Sequence, residues 1–405
     1  MSLISRRNFM RVSRFVLMLL IIELLDEVLF GAREAAWPLI RNDLNLTYIQ
    51  IGLLTTIPTL LANVVEPAIG ILGDTWKRRT LIVGGGIIFG LTSILMALGA
   101  NFGILMIVFI VMFPASGAFV SLSQVALMDH APQRHEQNMA RWTLAGSVGQ
   151  VVGPILLGLS VALGGGWRAL FILIGVISII MAFMVRRSSI TNGSTEDEES
   201  IEFVTGLRLA VKALQRRDVL RWLILLEFSN LILDILLGYL ALYFVDVVHV
   251  TEAQAGIAVA IFTGVGLVGD ALLIPLLERV RGLDYLRVSA VVELILYTTF
   301  MLVESPLLTI VIIGIVGFFN SGWYAILQGQ FYSAMPGQGG AVMALSNVGG
   351  LLGGLFPIVI GFLAERFGLG IAMWFMLLGP IALIIGLPRM SGNGVYVTDE
   401  SNISN

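Results

Sequence analysis

The chain has 405 residues, of which 57% are hydrophobic and only 13% are Asp, Glu, Lys or Arg, about half the charged share of a soluble globular protein. So few charges cannot cover a water-soluble surface, and the composition therefore predicts a membrane protein. Without any cysteine, the sequence excludes disulfides, thiolate metal sites and cysteine nucleophiles. The 24 basic residues, within a net charge of −3, form no basic stripe of the kind that binds nucleic acid.

Apolar segments long enough to span a bilayer recur along the whole chain, since a spanning helix takes about 20 residues. In chain order they cover 15–40, 48–73, 79–99, 103–129, 138–164, 167–185, 220–246, 252–277, 284–303, 306–333, 340–365 and 369–387. These segments predict an all-α, polytopic membrane protein with twelve transmembrane helices in two six-helix bundles. The bundles cover 15–185 and 220–387, between an N-terminal tail (1–14), a linker (186–219) and a C-terminal tail (388–405).

Basic residues concentrate in the tails, the linker and the loops on one side of the predicted membrane. The positive-inside rule therefore predicts that both termini are cytoplasmic and that the protein lies in the inner membrane. Within the linker, apolar residues recur at helical spacing over 201–214 with basic residues between them. This pattern is typical of a short helix on the anionic membrane surface. A helix packed on the inner face of the protein is the alternative.

An internal repeat relates the two predicted bundles. A single shift of 204 residues pairs Glu23 with Glu227, Asp26 with Asn230, Glu66 with Asp270 and Gly149 with Gly353. Many transporters are built from two such halves. One ungapped offset that pairs acidic residues with acidic or polar ones favours two pseudo-symmetric six-helix bundles in parallel orientation.

Two glycine-containing motifs carry a family resemblance. The loop between helices 2 and 3 contains Gly70, Asp74, Arg78 and Arg79 at the spacing Gly-x-x-x-Asp-x-x-x-Arg-Arg, and helix 5 contains Gly146, Gly149, Gly153, Pro154 and Gly158. Both motifs resemble those of the major facilitator superfamily, the second in its antiporters. Leu25-Asp26, Trp37-Pro38-Leu39 and Glu66-Pro67 resemble the fosmidomycin-resistance branch of efflux proteins. The His-Pro-Glu of that branch is missing from helix 4, so its substrate is not carried over.

The loop motif predicts a conformational latch formed by Gly70, Asp74, Arg78 and Arg79. Asp74 can cap a helix or pair with an arginine, whereas a plain positively charged loop would explain only the basic residues. Asp74→Ala is therefore expected to favour the inward-open state. The helix 5 glycines are interpreted as a groove for close backbone approach, and Pro154 permits a kink.

Several acidic residues fall inside the predicted helices. A carboxylate at membrane depth costs about 2.5–3.5 kcal/mol on insertion scales and marks a pathway or a proton relay by default. We therefore predict proton-coupling roles for Glu23, Asp26, Glu27, Glu66, Glu227, Asp234 and Asp270. The alternative for each is a hydrogen bond to a neighbouring Ser, Asn or backbone group that fixes helix packing.

Depth counting places Glu23 beside Glu66 on adjacent antiparallel helices, and Glu227 and Asp270 at the same depths in the second half. Two carboxylates held close in a low dielectric cannot both ionise easily, so each pair is expected to hold a proton near neutral pH. Asp26 lies deeper, near the midplane where substrates and coupling ions bind in such proteins.

In the resembled fold, helices 1, 4, 7 and 10 line a central cavity. Polar and aromatic residues on these helices suit an amphipathic small molecule, and we predict substrate contacts for Arg33, Ser121, Gln124, Asn230, Tyr239, Asn320, Trp323, Tyr324 and Gln328. Arg33 has an alternative role, in which it snorkels to the outer interface or neutralises a nearby acid.

The sequence thus predicts a monomeric secondary transporter that exchanges a small organic molecule for protons across the bilayer, with no cofactor and no resident metal. A Na⁺-coupled transporter, an uncoupled facilitator, a lipid flippase and a divalent-metal exporter are the alternatives. An enzyme is not expected, because the three histidines lie at helix ends and no His-Glu-x-x-His motif is present.

Overall fold

The computed structural model describes residues 13–75, 77–130, 135–187, 215–335 and 339–388, which form helices and short connections without any β-strand. The helices are α1 (Arg14–Leu44), α2 (Tyr48–Thr75), α3 (Arg78–Leu98), α4 (Phe102–His130), α5 (His135–Ala162), α6 (Gly166–Arg186), α7 (Arg217–Asp246), α8 (Glu252–Leu277), α9 (Gly282–Leu302), α10 (Pro306–Ala334), α11 (Gly339–Gly353 and Phe356–Phe367) and α12 (Leu369–Gly386). The prediction of an all-α membrane fold is confirmed. The possible linker helix at 201–214 lies outside the described residues.

Eleven helices among the described residues are long and apolar enough to cross a membrane. α1 is the remaining one of the twelve predicted spans. Its 31 residues would reach about 46 Å at 1.5 Å per residue, which is ample for a bilayer. α1 differs from the other eleven helices in the number of its charged residues and not in a lack of length.

The chain forms two compact units. The first contains the described residues of Met1–Leu44 and Ile57–Glu196, and the second those of Asn45–Thr56 and Asp197–Asn405. Within the second unit, the Tyr48 hydroxyl donates to Asp246 Oδ2 at 2.6 Å. The first turns of α2, up to Thr56, therefore belong to the second unit. The sequence had predicted all of α2 in the first bundle. The predicted bundle boundaries stay a prediction.

Besides α11, which is interrupted between Gly353 and Phe356, four of the described helices are irregular in their interiors. α4 contains a π-helical segment at Gly117–Ser121, and α7 contains one at Leu231–Ile235. α10 is interrupted after Phe319 and resumes at Trp323, and we call residues 320–322 the α10 break. α12 has a 3₁₀ segment at Met373–Leu377. Such segments reposition side chains and commonly mark functional positions in helices.

Glycines let α1 and α5 pack backbone to backbone. A Cβ on Gly153 would lie 2.6 Å from both Ala32 N and Val28 O of α1. Gly158, one turn further along α5, has open space where its Cβ would be. The close approach of α1 to α5 therefore requires glycine at position 153 but not at position 158.

Gly153→Ala is expected to destabilise the protein, because the added methyl group cannot fit without moving α1. Overpacking of this kind costs about 1–3 kcal/mol. Thermal unfolding of the purified protein in detergent measures the effect, with Gly158→Ala as the matched control that should leave the midpoint unchanged. Equal midpoints for the two variants would contradict the packing described above.

Candidate functional site

The most deeply placed acid of α1 is hydrogen-bonded to α4. Asp26 is only 7% exposed, and the Ser116 hydroxyl donates to its Oδ1 at 2.8 Å. Ser116 immediately precedes the π-helical segment of α4, so this contact lies beside an irregular turn. The buried Asp26 carboxyl group thus accepts a hydrogen bond from one identified donor, the Ser116 hydroxyl.

Further acids surround Asp26, and we call Glu23, Asp26, Glu27 and Glu66 the N-terminal acid cluster. Glu27 and Glu66 lie within electrostatic range of Asp26, as does Arg33, and Glu23 lies within range of Asp26 and Glu27. Gln150 Nε2 of α5 donates to Glu27 Oε2 at 3.0 Å. Several carboxylates in one low-dielectric site cannot all be ionised, so such a cluster can hold and exchange protons.

The predicted neighbour of Glu23 was Glu66, and the structure places both acids around Asp26. Glu66 itself lies against Gly117, the first residue of the α4 π segment, where a Cβ would come within 2.8 Å of the Glu66 Cγ. The direct pairing of Glu23 with Glu66 stays a prediction.

Glycines of α5 make room for a carboxylate as well as for backbone. A Cβ on Gly146 would lie 2.6 Å from Glu23 Oε1, and one on Gly149 would lie 2.7 Å from the Cβ of Glu27. The sequence pattern alone predicts only a groove for backbone at these glycines. Any larger residue at these positions would displace an acid of the N-terminal cluster.

The second unit repeats this arrangement between α7 and α11. The Glu227 carboxylate occupies the space that a Cβ on Gly349 or Gly353 would need. Glu227 Oε2 is buried and has no hydrogen-bond partner among the described residues. The 204-residue shift pairs Glu23 with Glu227 and Gly149 with Gly353. This repeat was the sequence signal that an acid packs against helix glycines in both units.

Asp234 and Tyr324 complete a second group of polar residues on α7 and α10. Asp234 lies in the π segment of α7 and is exposed. Tyr324 is within electrostatic range of both Asp234 and Glu227, and 54% of its surface is exposed. These three side chains form an accessible, acidic group on the second unit.

Asp270 supports the α10 break. Its Oδ1 accepts a hydrogen bond of 3.0 Å from the Gly322 backbone N–H, and Gly322 has a left-handed φ of 72° that favours glycine. The 204-residue repeat relates this contact to that of Glu66 with Gly117. Glu66 of α2 thus lies at the π segment of α4, and Asp270 of α8 lies at the α10 break. In both halves, an acid contacts an irregular segment of the helix two further along the chain.

Arg33 forms a compact buried group with its neighbours on α1 and α4. Its guanidinium forms an ion pair with Glu34 and lies 4.6 Å and 5.3 Å from the ring centroids of Phe30 and Phe113. Glu34 Oε2 also accepts from Trp37 Nε1 at 2.9 Å. Arg33 Nη1 remains buried and without a partner among the described residues, so one donor is left for a further acceptor.

Of the other predicted substrate contacts, two have their polar groups engaged by protein. The Tyr239 hydroxyl donates to the Pro357 carbonyl at 2.6 Å, and Trp323 Nε1 donates to Ser289 Oγ at 2.9 Å. Gln124 Nε2 lies 3.4 Å from Met139 Sδ. The remaining predicted contacts differ in exposure: Ser121 is exposed, Asn230 and Gln328 are half-buried, and Asn320 is buried.

The basic loop after α2 is tied to the end of α4. Arg78 Nε donates to the Gly73 carbonyl at 3.2 Å, and its Nη1 forms an ion pair with Asp129. Arg79 is exposed, Gly70 has open space around it, and the Asp74 side chain lies outside the described residues. The latch role of these residues stays a prediction, but Arg78 has a clear structural role.

Arg78→Ala is expected to lower the thermal stability of the protein. The change leaves the Asp129 carboxylate and the Gly73 carbonyl without their donor. This loss should lower the free energy of unfolding by about 1–3 kcal/mol. Thermal unfolding in detergent measures it, with Arg79→Ala at the neighbouring exposed position as the control. A midpoint for Arg78→Ala no lower than that of the control would exclude this role.

Within the described part of the chain, no group of three or more His, Asp or Glu side chains is placed to hold a metal ion. The helical fold and its buried acids define a class, the polytopic helical membrane transporters. Residues 19–356 match the Major Facilitator Superfamily, and the chain belongs to this family.

Two solved structures illustrate the likeness in fold. A variant of the nucleoside transporter NupG superposes with a TM-score of 0.73 over 92% of this chain and 98% of that chain, at 15% identity. A bacterial homologue of the human lysosomal transporter Spinster, inward-facing and unoccupied, gives 0.69 over 92% and 95% of the chains, at 17% identity.

Curated relatives match over shorter segments. The chain is 25% identical to the fosmidomycin resistance protein of Escherichia coli (strain K12) over 166 residues, which are 40% of this chain and 41% of that protein. It is 30% identical to the drug efflux pump JefA of Mycobacterium tuberculosis over 105 residues, 25% of this chain and 20% of that protein. The chain thus spans less than half the length of either relative.

Proposed function

We propose that this protein exports a small organic molecule in exchange for protons, by alternating access of a midplane site to the two sides of the inner membrane. The observation that carries the proposal is the buried Asp26, hydrogen-bonded to Ser116 and surrounded by other acids. Acids at membrane depth that can share protons are what a proton-coupled cycle needs. The similarity to a fosmidomycin resistance protein and to a drug efflux pump supports the direction of transport.

In this proposal, the N-terminal acid cluster binds the coupling proton, and Glu227, Asp234 and Asp270 provide further acidic positions in the second unit. The substrate contacts come from Arg33, Ser121, Gln124, Asn230, Tyr239, Asn320, Trp323, Tyr324 and Gln328. Arg33 Nη1, which has no partner among the described residues, suits an acceptor group on the substrate. Both termini are cytoplasmic, and the working unit is a monomer.

Transport in proteoliposomes under an imposed pH gradient tests the proposal directly. The purified full chain is reconstituted and screened against cationic, neutral and anionic drugs, lipids and divalent metal ions, with Na⁺ present or absent. Proton movement that requires one organic compound and persists without Na⁺ is expected. Movement that requires Na⁺, or compound flux that ignores both gradients, would replace the proposal with Na⁺ coupling or facilitated diffusion.

Asp26→Asn is expected to reduce pH-driven transport by at least about tenfold, because the amide keeps the size of the side chain but cannot release a proton. Asparagine can still accept the Ser116 hydrogen bond, so the protein should fold and bind substrate. The measurements are initial rates under a pH gradient and substrate binding to the detergent-solubilised protein.

Asp43→Asn makes the same chemical change on the same helix and serves as the control. Asp43 accepts from Trp167 Nε1 at 2.7 Å, which an asparagine oxygen can also do. The change also removes an ion pair with Arg168 at 3.6 Å, but about half of the Asp43 side chain is exposed, and exposed pairs contribute only about 0–1 kcal/mol. Its transport rate should match that of the parent. If Asp26→Asn retains pH-driven transport, the coupling role passes to Glu27 or Asp234.

A further inference from the structure

α9 buries a carboxyl group that belongs to neither acidic group described above. Glu293 is 0% exposed, and neither Oε1 nor Oε2 has a hydrogen-bond partner among the described residues. An ionised carboxylate in such surroundings costs several kcal/mol. A proton bound to the carboxyl group removes this cost.

The elements around Glu293 offer no counter-ion. α9 packs against α10 and α12, and neither of these helices contains Asp, Glu, Lys, Arg or His. The titratable groups within electrostatic range of Glu293 are Tyr285 and Tyr297 of α9 itself. Beyond them, Asp270 of α8 reaches Tyr285, and Tyr243 of α7 reaches Tyr297. None of these groups, which are those of the described residues, is a cation.

The charged residues nearest to Glu293 along α9 lie at the start of the helix. Asp284 Oδ1 and Arg287 Nη1 are 3.7 Å apart and pair with each other. The Glu293 side chain stands more than a helical turn beyond them, in the buried part of α9. Among the described residues of α9, α10 and α12, no cation therefore lies beside Glu293.

Glu293 lies between two tyrosines that hold irregular segments of the neighbouring helices. The Tyr285 hydroxyl donates to the carbonyls on either side of Asn320, at 3.2 Å and 3.1 Å, at the α10 break. The Tyr297 hydroxyl donates to the Met373 carbonyl at 3.0 Å, where the 3₁₀ segment of α12 begins. Bending of α10 or α12 at these segments would change the surroundings of Glu293 directly.

An unpartnered amide donor lies at the level of Glu293. Trp323 of α10 contacts Ser289 of α9, and the two helices run antiparallel because a short turn joins them. Glu293 follows Ser289 by one turn, and Asn320 precedes Trp323 by about one turn. Asn320 Nδ2 is buried without a partner among the described residues. A carboxyl acceptor and an amide donor are therefore available to each other if α10 shifts.

We propose that Glu293 is a second proton-binding residue of this transporter, which releases its proton to water when α10 bends at the α10 break. The Asn320 amide and entering water then solvate the carboxylate, and the proton returns when α10 straightens. This inference rests on the proton-coupled transport proposed above, but it concerns a residue outside the N-terminal acid cluster.

Infrared difference spectroscopy with a step in pH as the only stimulus tests proton binding. The full chain in lipid vesicles should show the carbonyl band of a protonated carboxyl group, which disappears at alkaline pH and shifts in D₂O. Other buried acids contribute to the same spectral region, so the Glu293 component is the part of the titrating band that is lost in Glu293→Gln. Glu304→Gln, which makes the same change at an exposed acid just beyond α9, should keep it. A titrating band that persists unchanged in Glu293→Gln would overturn the proposal.

Spin labels test the link to helix movement, and the cysteine-free chain simplifies their placement. Labels attached through Val288→Cys in α9 and Ala325→Cys in α10 lie at exposed positions. Their distance distribution should shift between acidic and alkaline pH in the parent and in Glu304→Gln. In Glu293→Gln it should keep the acidic form at every pH. A shift in Glu293→Gln equal to that of the parent, or no shift in the parent, would overturn the proposal.

The Asp26→Asn variant separates this inference from the proposed transport function. Asp26 is on α1, outside the second unit, so its replacement should leave the Glu293 component of the infrared band and the distance shift intact while pH-driven transport falls. If no pH gradient drives transport in the parent, the proton-coupled function fails, whereas the two measurements on Glu293 still decide whether that residue exchanges a proton. Loss of the Glu293 component in Asp26→Asn would contradict independent proton binding.

Discussion

A carboxylate inside an apolar bundle needs both space and a donor, and this need shapes the packing of α1 on α5 and of α7 on α11. Glu23 and Glu227 each occupy space that only glycine leaves open. The same close approach brings Glu27 within reach of Gln150. Because a larger side chain in either glycine motif would displace an acid, helix packing and acid placement are one constraint in this fold.

A second consequence concerns the irregular helices. The π segment of α4 follows the serine that donates to Asp26. At the α10 break, backbone carbonyls accept from the Tyr285 hydroxyl and the Gly322 N–H donates to Asp270. A regular helix would direct these groups elsewhere. The backbone departs from regular helical geometry at the segments that these polar side chains contact. Helices kink most readily at such segments, because their regular hydrogen bonds are already interrupted there.

The sequence predicted the spans closely, because hydropathy and helix length are local properties. It also singled out Asp26 as a deep acid and the glycines of helix 5 as a motif. It did not predict the bond between Asp26 and Ser116, which depends on how α1 and α4 are rotated about their axes. Glu293 was passed over for a similar reason, since its segment was predicted as a span but its lack of any charged neighbour on α10 and α12 emerges only from packing.

The α10 break divides that helix into two, so a new helix begins at Trp323 within the membrane span. The start of a helix carries a partial positive charge of about half an elementary unit from its aligned peptide dipoles. Asp270 accepts its hydrogen bond at this start, so its carboxyl group lies at the positive end of the second helical segment. Glu66, its counterpart in the repeat, faces an α4 that continues through its π segment without a new start. Two halves built on one plan thus carry unequal electrostatic fields.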